Sequence, residues 1–225
     1  MPSIEISSTS SSVTSWWTVC LTESVSCAIS LIWAVVVGSI TCQQYSNGPS
    51  RASVSVGSVA RRAIHKGDIV KTKAAVLWEL NAPWSIEDIE LDAPGPNEVL
   101  VKLAASGLCH SDEHLVTGDL PFELPIIGGH EGAGVVQQVG ANVSWLAPGD
   151  HVVFGFIPSC GRCVSCSTGH QNLCDLGAYM ATGKQISDQT SRHHAGGKDL
   201  GVMCLLGTFA QHTVVHEASC IKIEK

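Results

Sequence analysis

The stretch CGRCVSCSTGHQNLC, Cys160 to Cys174, places four cysteines at C-x2-C-x2-C-x7-C spacing within fifteen residues. Two-residue spacers let successive sulfurs turn toward one centre, and the seven-residue return brings in a fourth. Four thiolates complete a tetrahedron and leave no coordination position for water or substrate, so Cys160, Cys163, Cys166 and Cys174 read as a structural zinc site. An iron–sulfur cluster is the rival. Bacterial ferredoxin runs close with C-x3-C-P, whereas here the last gap is seven and Asp175 follows. Zinc is the preferred reading. A closed site of this kind pins a loop, so any chemistry has to lie elsewhere.

The six other cysteines of the chain scatter along its 225 residues. One crowded loop among scattered cysteines is the habit of a metal site in a reducing compartment rather than of a secreted disulfide framework. The formal net charge of −7 gives no electrostatic support for a nucleic-acid partner or an acidic membrane surface. That charge is unevenly placed. Residues 1–70 carry four Lys or Arg against three Asp or Glu, and residues 71–225 carry nine against seventeen. Residues 1–60 also hold 21 Ser or Thr. A boundary is expected near residues 66–72, with residues 1–70 a disordered extension or the product of a start assigned too far upstream. The apolar run Ser26–Cys42 could cross a membrane once. It lacks a basic flank before it and contains Ser30, Ser39 and Thr41, which argues against a signal or an anchor.

After Val70 the chain reads as short strands with Gly and Pro punctuation. KTKAAVLWEL (Lys71–Leu80), NEVLVKLAASGLC (Asn97–Cys109), GAGVVQQVGANV (Gly132–Val143) and GDHVVFGFI (Gly149–Ile157) are strand candidates, and Gly207–Ile223 gives further short ones. NAPW and DAPGPNE are turn chemistry. Residues 177–203, Gly-rich and polar, read as a long excursion loop with His193 and His194 solvated. Cys204 and Cys220 read as ordinary buried cysteines. The expected class is mainly β with short helices, arranged as a small irregular antiparallel barrel.

Two further stretches carry donor side chains. SGLCHSDEH (Ser106–His114) supplies a cysteine, two histidines and an aspartate directly after a strand. GGHEGAGVVQQVG (Gly128–Gly140) supplies His130 and Glu131 among glycines. A catalytic zinc needs three protein ligands and an open position. Taken singly, Cys109 is more often a buried apolar residue and His130 a turn residue. GAGVVQQVG also has the look of a dinucleotide loop. It lies between strands with no helix to receive phosphates, so that reading is rejected.

Taken together and in order, GLCHSD, GGHEGAGVVQQVG, GDHVV and the four-cysteine loop resemble the zinc-containing medium-chain alcohol dehydrogenases, from about Lys71 to Lys225. KTKAAVLWE, LPIIGGHEGAG, GHQNLCDLG and GTFAQHTVVHEAS are similar to the nitrosodimethylaniline-dependent members from actinobacteria. The resemblance implies that residues 71–225 form the GroES-like catalytic domain, in a cytoplasmic protein whose full-length relatives are homo-oligomeric and carry a following Rossmann domain for NAD. It implies oxidation of a small alcohol to an aldehyde, or the reverse, with zinc lowering the pKa of the alcohol and NAD taking the hydride. By the same resemblance Cys109 and His130 are catalytic-zinc ligands and Glu131 lies beside the metal. Asp112 orients the histidine ligand, Ser111 touches the substrate oxygen, His114 relays its proton to solvent and His110 faces the cofactor pyrophosphate. The third ligand in that family is a cysteine beyond the last strands of this domain. The expected activity of residues 1–225 alone is therefore nil, and the alternative reading is a zinc-binding module without turnover.

Overall fold

The computed structural model describes residues 69–225. The Ser/Thr-rich segment, the run Ser26–Cys42 and Cys20, Cys27 and Cys42 lie outside the described residues. Among the described residues no helix is long and apolar enough to cross a membrane.

Strand β1 (Val70–Leu77) begins by alternating, with Thr72 inward and Lys71 and Lys73 outward, then buries every residue from Ala74 to Leu77. Its second half is covered on both faces, which suits small Ala74 and Ala75 and branched Val76. β1 pairs antiparallel with β2 (Ser85–Leu91), Val70 opposite Leu91. The sequence reading placed turns on either side of SIEDIEL and assigned no strand there. It is one because Ile89 and Leu91 enter the core at period two while Asp88 and Glu90 point to solvent.

Strand β3 (Glu98–Ser106) pairs with β5 (Gly132–Val139) and β9 (His212–His216), and β6 (His151–Phe154) lies between β5 and β10 (Cys220–Ile223). These make a five-stranded sheet in the order β10-β6-β5-β3-β9. GAGVVQQV is thus a strand, not a phosphate loop. The other strands, β4 (Ile126–Ile127), β7 (His193–Ala195) and β8 (Lys198–Val202), close a barrel in the order β1-β2-β7-β8-β4. Only β4 against β8 is parallel. The two sheets are stitched where the Ala75 amide donates to the Phe209 carbonyl (2.7 Å) and the Gln211 amide to the Lys73 carbonyl (2.9 Å).

The excursion after the cysteine loop is not solvated throughout. Its end supplies β7 and β8, and His193 is buried at 1% exposure. His193 packs inward because β7 is a barrel strand, and its Nε2 lies 3.2 Å from the Thr213 hydroxyl. His194, its neighbour on the opposite face, sits between Asp92 and Asp199. Fully buried Glu98 at the start of β3 receives Arg192 through Nε (2.9 Å) and Nη2 (3.0 Å), the Gly95 amide (2.8 Å) and the Ser187 hydroxyl. A buried carboxylate persists only with this many donors. The pair ties the excursion to β3.

Three apolar clusters fill the fold. One lines the barrel, with Val76, Ile89, Leu91, Leu100, Ile127 and Leu200. One lies within the five-stranded sheet around Val99, Val136, Val152 and Val215. The third, Leu77, Trp84, Leu115, Val116, Met203 and Phe209, seats the short helix that follows β3. Burying each large aliphatic side chain contributes roughly 1.5–3 kcal/mol. That helix is therefore held on a packed floor rather than by its own propensity.

Candidate metal centres

Helix α1 (His110–Thr117) begins directly after Cys109, and Gly118 ends it at φ 83, a left-handed conformation that glycine adopts without a Cβ penalty. Asp112 sits at the third helical position and its Oδ2 accepts the Cys109 amide at 2.9 Å. This satisfies a helix N-terminal amide and places a negative charge at the positive end of the helix. The Asp112 carboxylate is buried (1% exposed), and its Oδ1 accepts the Gly129 amide at 3.2 Å. One carboxylate thereby joins the start of α1 to the turn that carries His130. Gly129 has φ 85, and a Cβ there would overlap Thr208 and Phe209. The bare turn lets His130 pack in.

Cys109, His130 and Glu131 each offer one donor atom, and these three atoms lie within 4.8 Å of one another. His130 Nδ1 is buried without a well-formed hydrogen bond, 3.5 Å from Asp112 Oδ1. That carboxylate nevertheless raises the imidazole to about 9, against the opposing effect of burial. The Ser111 amide and hydroxyl, and then His130, hold the Cys109 thiol below its ordinary value. A thiol drawn toward thiolate, an imidazole and a carboxylate at this separation form a donor set that suits a borderline cation such as zinc. Asp112 supplies the carboxylate partner that histidine ligands commonly have.

Ser111 lies 3.6 Å through its Oγ from Cys109 Sγ. His114 is one turn along α1, half exposed, its Nδ1 3.0 Å from Asp119 and its ring edge-on to His110 at 4.8 Å. His110 is exposed. Cys109, Ser111, His130 and Glu131 open onto a cavity of about 430 Å³ whose other walls include Leu120, Phe122, Phe156, Met180, Met203 and Cys204. These wall residues were not singled out from the sequence. Phe156, Met180 and Met203 come from three separate segments, and nothing local marks them. Cys204 is only partly buried, contrary to expectation. It occupies a left-handed turn (φ 50) that turns it toward the cavity. A larger cleft of about 690 Å³ runs past Trp145, Ile157 and Ile221, but Cys109 and His130 do not line it.

The four sulfurs of Cys160, Cys163, Cys166 and Cys174 likewise lie within 4.8 Å of one another. The short helix α2 (Val164–Ser167) starts directly after the second of them, Cys163, and carries the third, Cys166. Backbone amides aim at the sulfurs: Cys160 to Cys174 Sγ (3.4 Å), Cys163 to Cys160 Sγ (3.3 Å) and Cys166 to Cys163 Sγ (3.5 Å). Amides of Arg162 and Cys163 draw the Cys160 thiol down to about 6, whereas burial pushes Cys174 up to about 11. Sulfurs gathered this closely and capped by amides are prepared for thiolates around one soft cation, and a tetrahedral zinc fits that donor set.

Comparison with known proteins gives the family. Residues 95–225 match the family described as the alcohol dehydrogenase GroES-like domain. Alcohol dehydrogenase B of Mycobacterium tuberculosis is 52% identical over 156 residues, covering 69% of this chain and 42% of that protein. The NDMA-dependent alcohol dehydrogenase of Amycolatopsis methanolica is 51% identical over 155 residues, again 69% and 42%. The crystal structure of an alcohol dehydrogenase zinc-binding domain protein from Burkholderia ambifaria superposes with a TM-score of 0.65 at 39% identity. It covers 70% of this chain and 43% of that one. The chain thus spans about two fifths of the length of its curated relatives. By its motifs, its barrel and these likenesses, the chain belongs to the zinc-containing medium-chain alcohol dehydrogenase family.

Proposed function

We propose that residues 71–225 are the catalytic domain of an NAD-dependent alcohol dehydrogenase. One observation carries this reading. Of the two donor clusters, one is closed by four sulfurs, and the other opens onto a mostly apolar cavity. The closed cluster would hold a structural zinc through Cys160, Cys163, Cys166 and Cys174. The open one would hold a catalytic zinc through Cys109 and His130, with Glu131 in reach. When bound there, zinc supplies Lewis acidity that lowers the pKa of an alcohol, and NAD supplies the hydride acceptor.

The chain's own residues do the rest. Asp112 orients His130 and holds the entrance of α1 to the Gly129 turn. The Ser111 hydroxyl, lining the cavity beside Cys109, would take the substrate's hydroxyl proton while releasing its own toward His114. His114 follows three residues later on the same helix and is half exposed, so it can pass that proton to water. His110, exposed beside His114, would contact the cofactor when it is bound. Glu131 is the one acidic side chain on the cavity wall, and the other walls are mostly apolar. An uncharged alcohol with an apolar body fits these walls, because a polyol would leave its hydroxyls unpaired. Free thiols at all seven described cysteines suit a reducing, cytoplasmic setting.

Hydride transfer also needs a nicotinamide fixed against the substrate carbon. The described residues contain no strand–glycine loop–helix unit to fix it. We therefore propose that residues 71–225 by themselves bind metal but do not turn over alcohol.

Zinc titration of the 225-residue chain, followed by elemental analysis, tests the reading. One zinc should resist dialysis and be lost in Cys174→Ala. A second, weaker equivalent should bind in the wild type and be lost in Cys109→Ala. A second equivalent that survives Cys109→Ala, or none at all, would count against the open site.

A further inference from the structure

We infer that Gly107 is a positioning residue for the open metal site, and that its missing side chain is what keeps the Glu131 carboxylate within reach of Cys109 and His130. The inference rests on the proposed metal at that site. Gly107 lies between the end of β3 and Cys109. A Cβ built on it would overlap Glu131 Oε2 outright and lie 3.1 Å from both Glu131 Cβ and Cδ. Its three nearest atoms would all belong to Glu131. The carboxylate thus rests across the bare Cα of Gly107.

Glu131 cannot move away as a whole. Its carbonyl accepts the Gly107 amide at 3.1 Å and the Ser106 hydroxyl at 3.0 Å. Ser106 is fixed in turn by the Thr208 hydroxyl at 2.8 Å. With the backbone fastened on both sides, a methyl group at position 107 leaves the side chain one response, which is to swing its carboxylate off the shelf. Rotation about its own bonds is cheap, so the cost falls on the three-donor cluster rather than on the fold. Gly107 has no positive φ that only glycine would tolerate, since its backbone is outside that region. Alanine is therefore conformationally allowed there, and a strained turn is not the reason for glycine.

Cobalt(II) titration of the 225-residue chain, with zinc already held in the four-cysteine loop, reads the site without any turnover. Its visible absorption reports both affinity and coordination. Gly107→Ala should weaken cobalt binding at least about tenfold, as loss of a supporting group commonly does, and should change the visible bands. Glu131→Ala should do the same. Adding Gly107→Ala to Glu131→Ala should cause no further loss, because the carboxylate it would strike is gone and only the Cβ, 3.1 Å away, remains. The inference is overturned if Gly107→Ala binds cobalt like the wild type. It is also overturned if its loss is equally large in the Glu131→Ala background, or if Gly107→Ala unfolds the chain in both backgrounds. Failure of the wild type to bind cobalt beyond the four-cysteine loop would instead remove the metal reading itself, and the inference with it.

Discussion

Replacing Arg192 with leucine should cost this protein several kcal/mol. Glu98 is fully buried, and Arg192 supplies its counter-charge and two of its hydrogen bonds. The Gly95 amide and Ser187 hydroxyl that remain are neutral donors. Leaving one member of a buried ion pair unpaired costs about 3–5 kcal/mol. The loss of the Asp188 contact adds little, because that carboxylate is half exposed. Urea unfolding of variant and wild type at pH 7.5, with zinc held constant, should therefore differ by about 3–5 kcal/mol. With a urea slope of about 1–3 kcal/mol/M, the midpoint at pH 7.5 falls by at least about 1 M. Glu98→Gln in the same background should recover part of the loss at pH 7.5. A difference below about 1 kcal/mol at pH 7.5 would refute the reasoning.

Two other outcomes are expected. Burial holds His193 down to about 3 and His212 down to about 4. Both folded-state values lie below an unfolded value of about 6.5, so stability is lost as pH falls from about 6.5 toward 4. The Thr213 hydroxyl donates to the Leu206 carbonyl and so accepts from His193 Nε2, leaving the buried Nδ1 without a partner for a second proton. His193→Gln should flatten that acid slope in urea midpoints measured against pH, and an unchanged slope would assign it elsewhere. Asp112→Asn keeps one acceptor oxygen where the Cys109 and Gly129 amides need two. It should cost about 1–3 kcal/mol and weaken cobalt binding at the open site about 10–100-fold. Full-strength binding in this variant would remove Asp112 from the support of His130.

The proposed metal donors stand at places where strands give way to turns. Cys109 follows β3, His130 and Glu131 precede β5, and the four cysteines follow β6. Strand ends are fixed by the sheet ladder, while the residues just beyond them are free to aim side chains at one point. This arrangement positions reactive groups without compromising the ladder's hydrogen bonds.

The sequence by itself determined the closed cysteine cluster, the mainly β class and the family. The physical reason is that each rests on local spacing: sulfurs two residues apart can face one centre whatever the rest of the chain does, and strand periodicity is read within a few residues. Cys109 and His130 were legible as donors, but their meeting was not. They lie 21 residues apart, and what joins them is a buried carboxylate accepting amides from both segments. Only the tertiary structure placed His193 inside the barrel, because its strand has too few residues to show a period and its burial depends on Thr213 across the fold. The strand Ser85–Leu91 escaped detection for a related reason, since its acidic outer face outweighs its buried residues. The cavity walls Phe156, Met180, Met203 and Cys204, and the contact of Gly107 with Glu131, belong to no local pattern. They exist because segments far apart in sequence pack against one another, and a chain read residue by residue carries no distance between them.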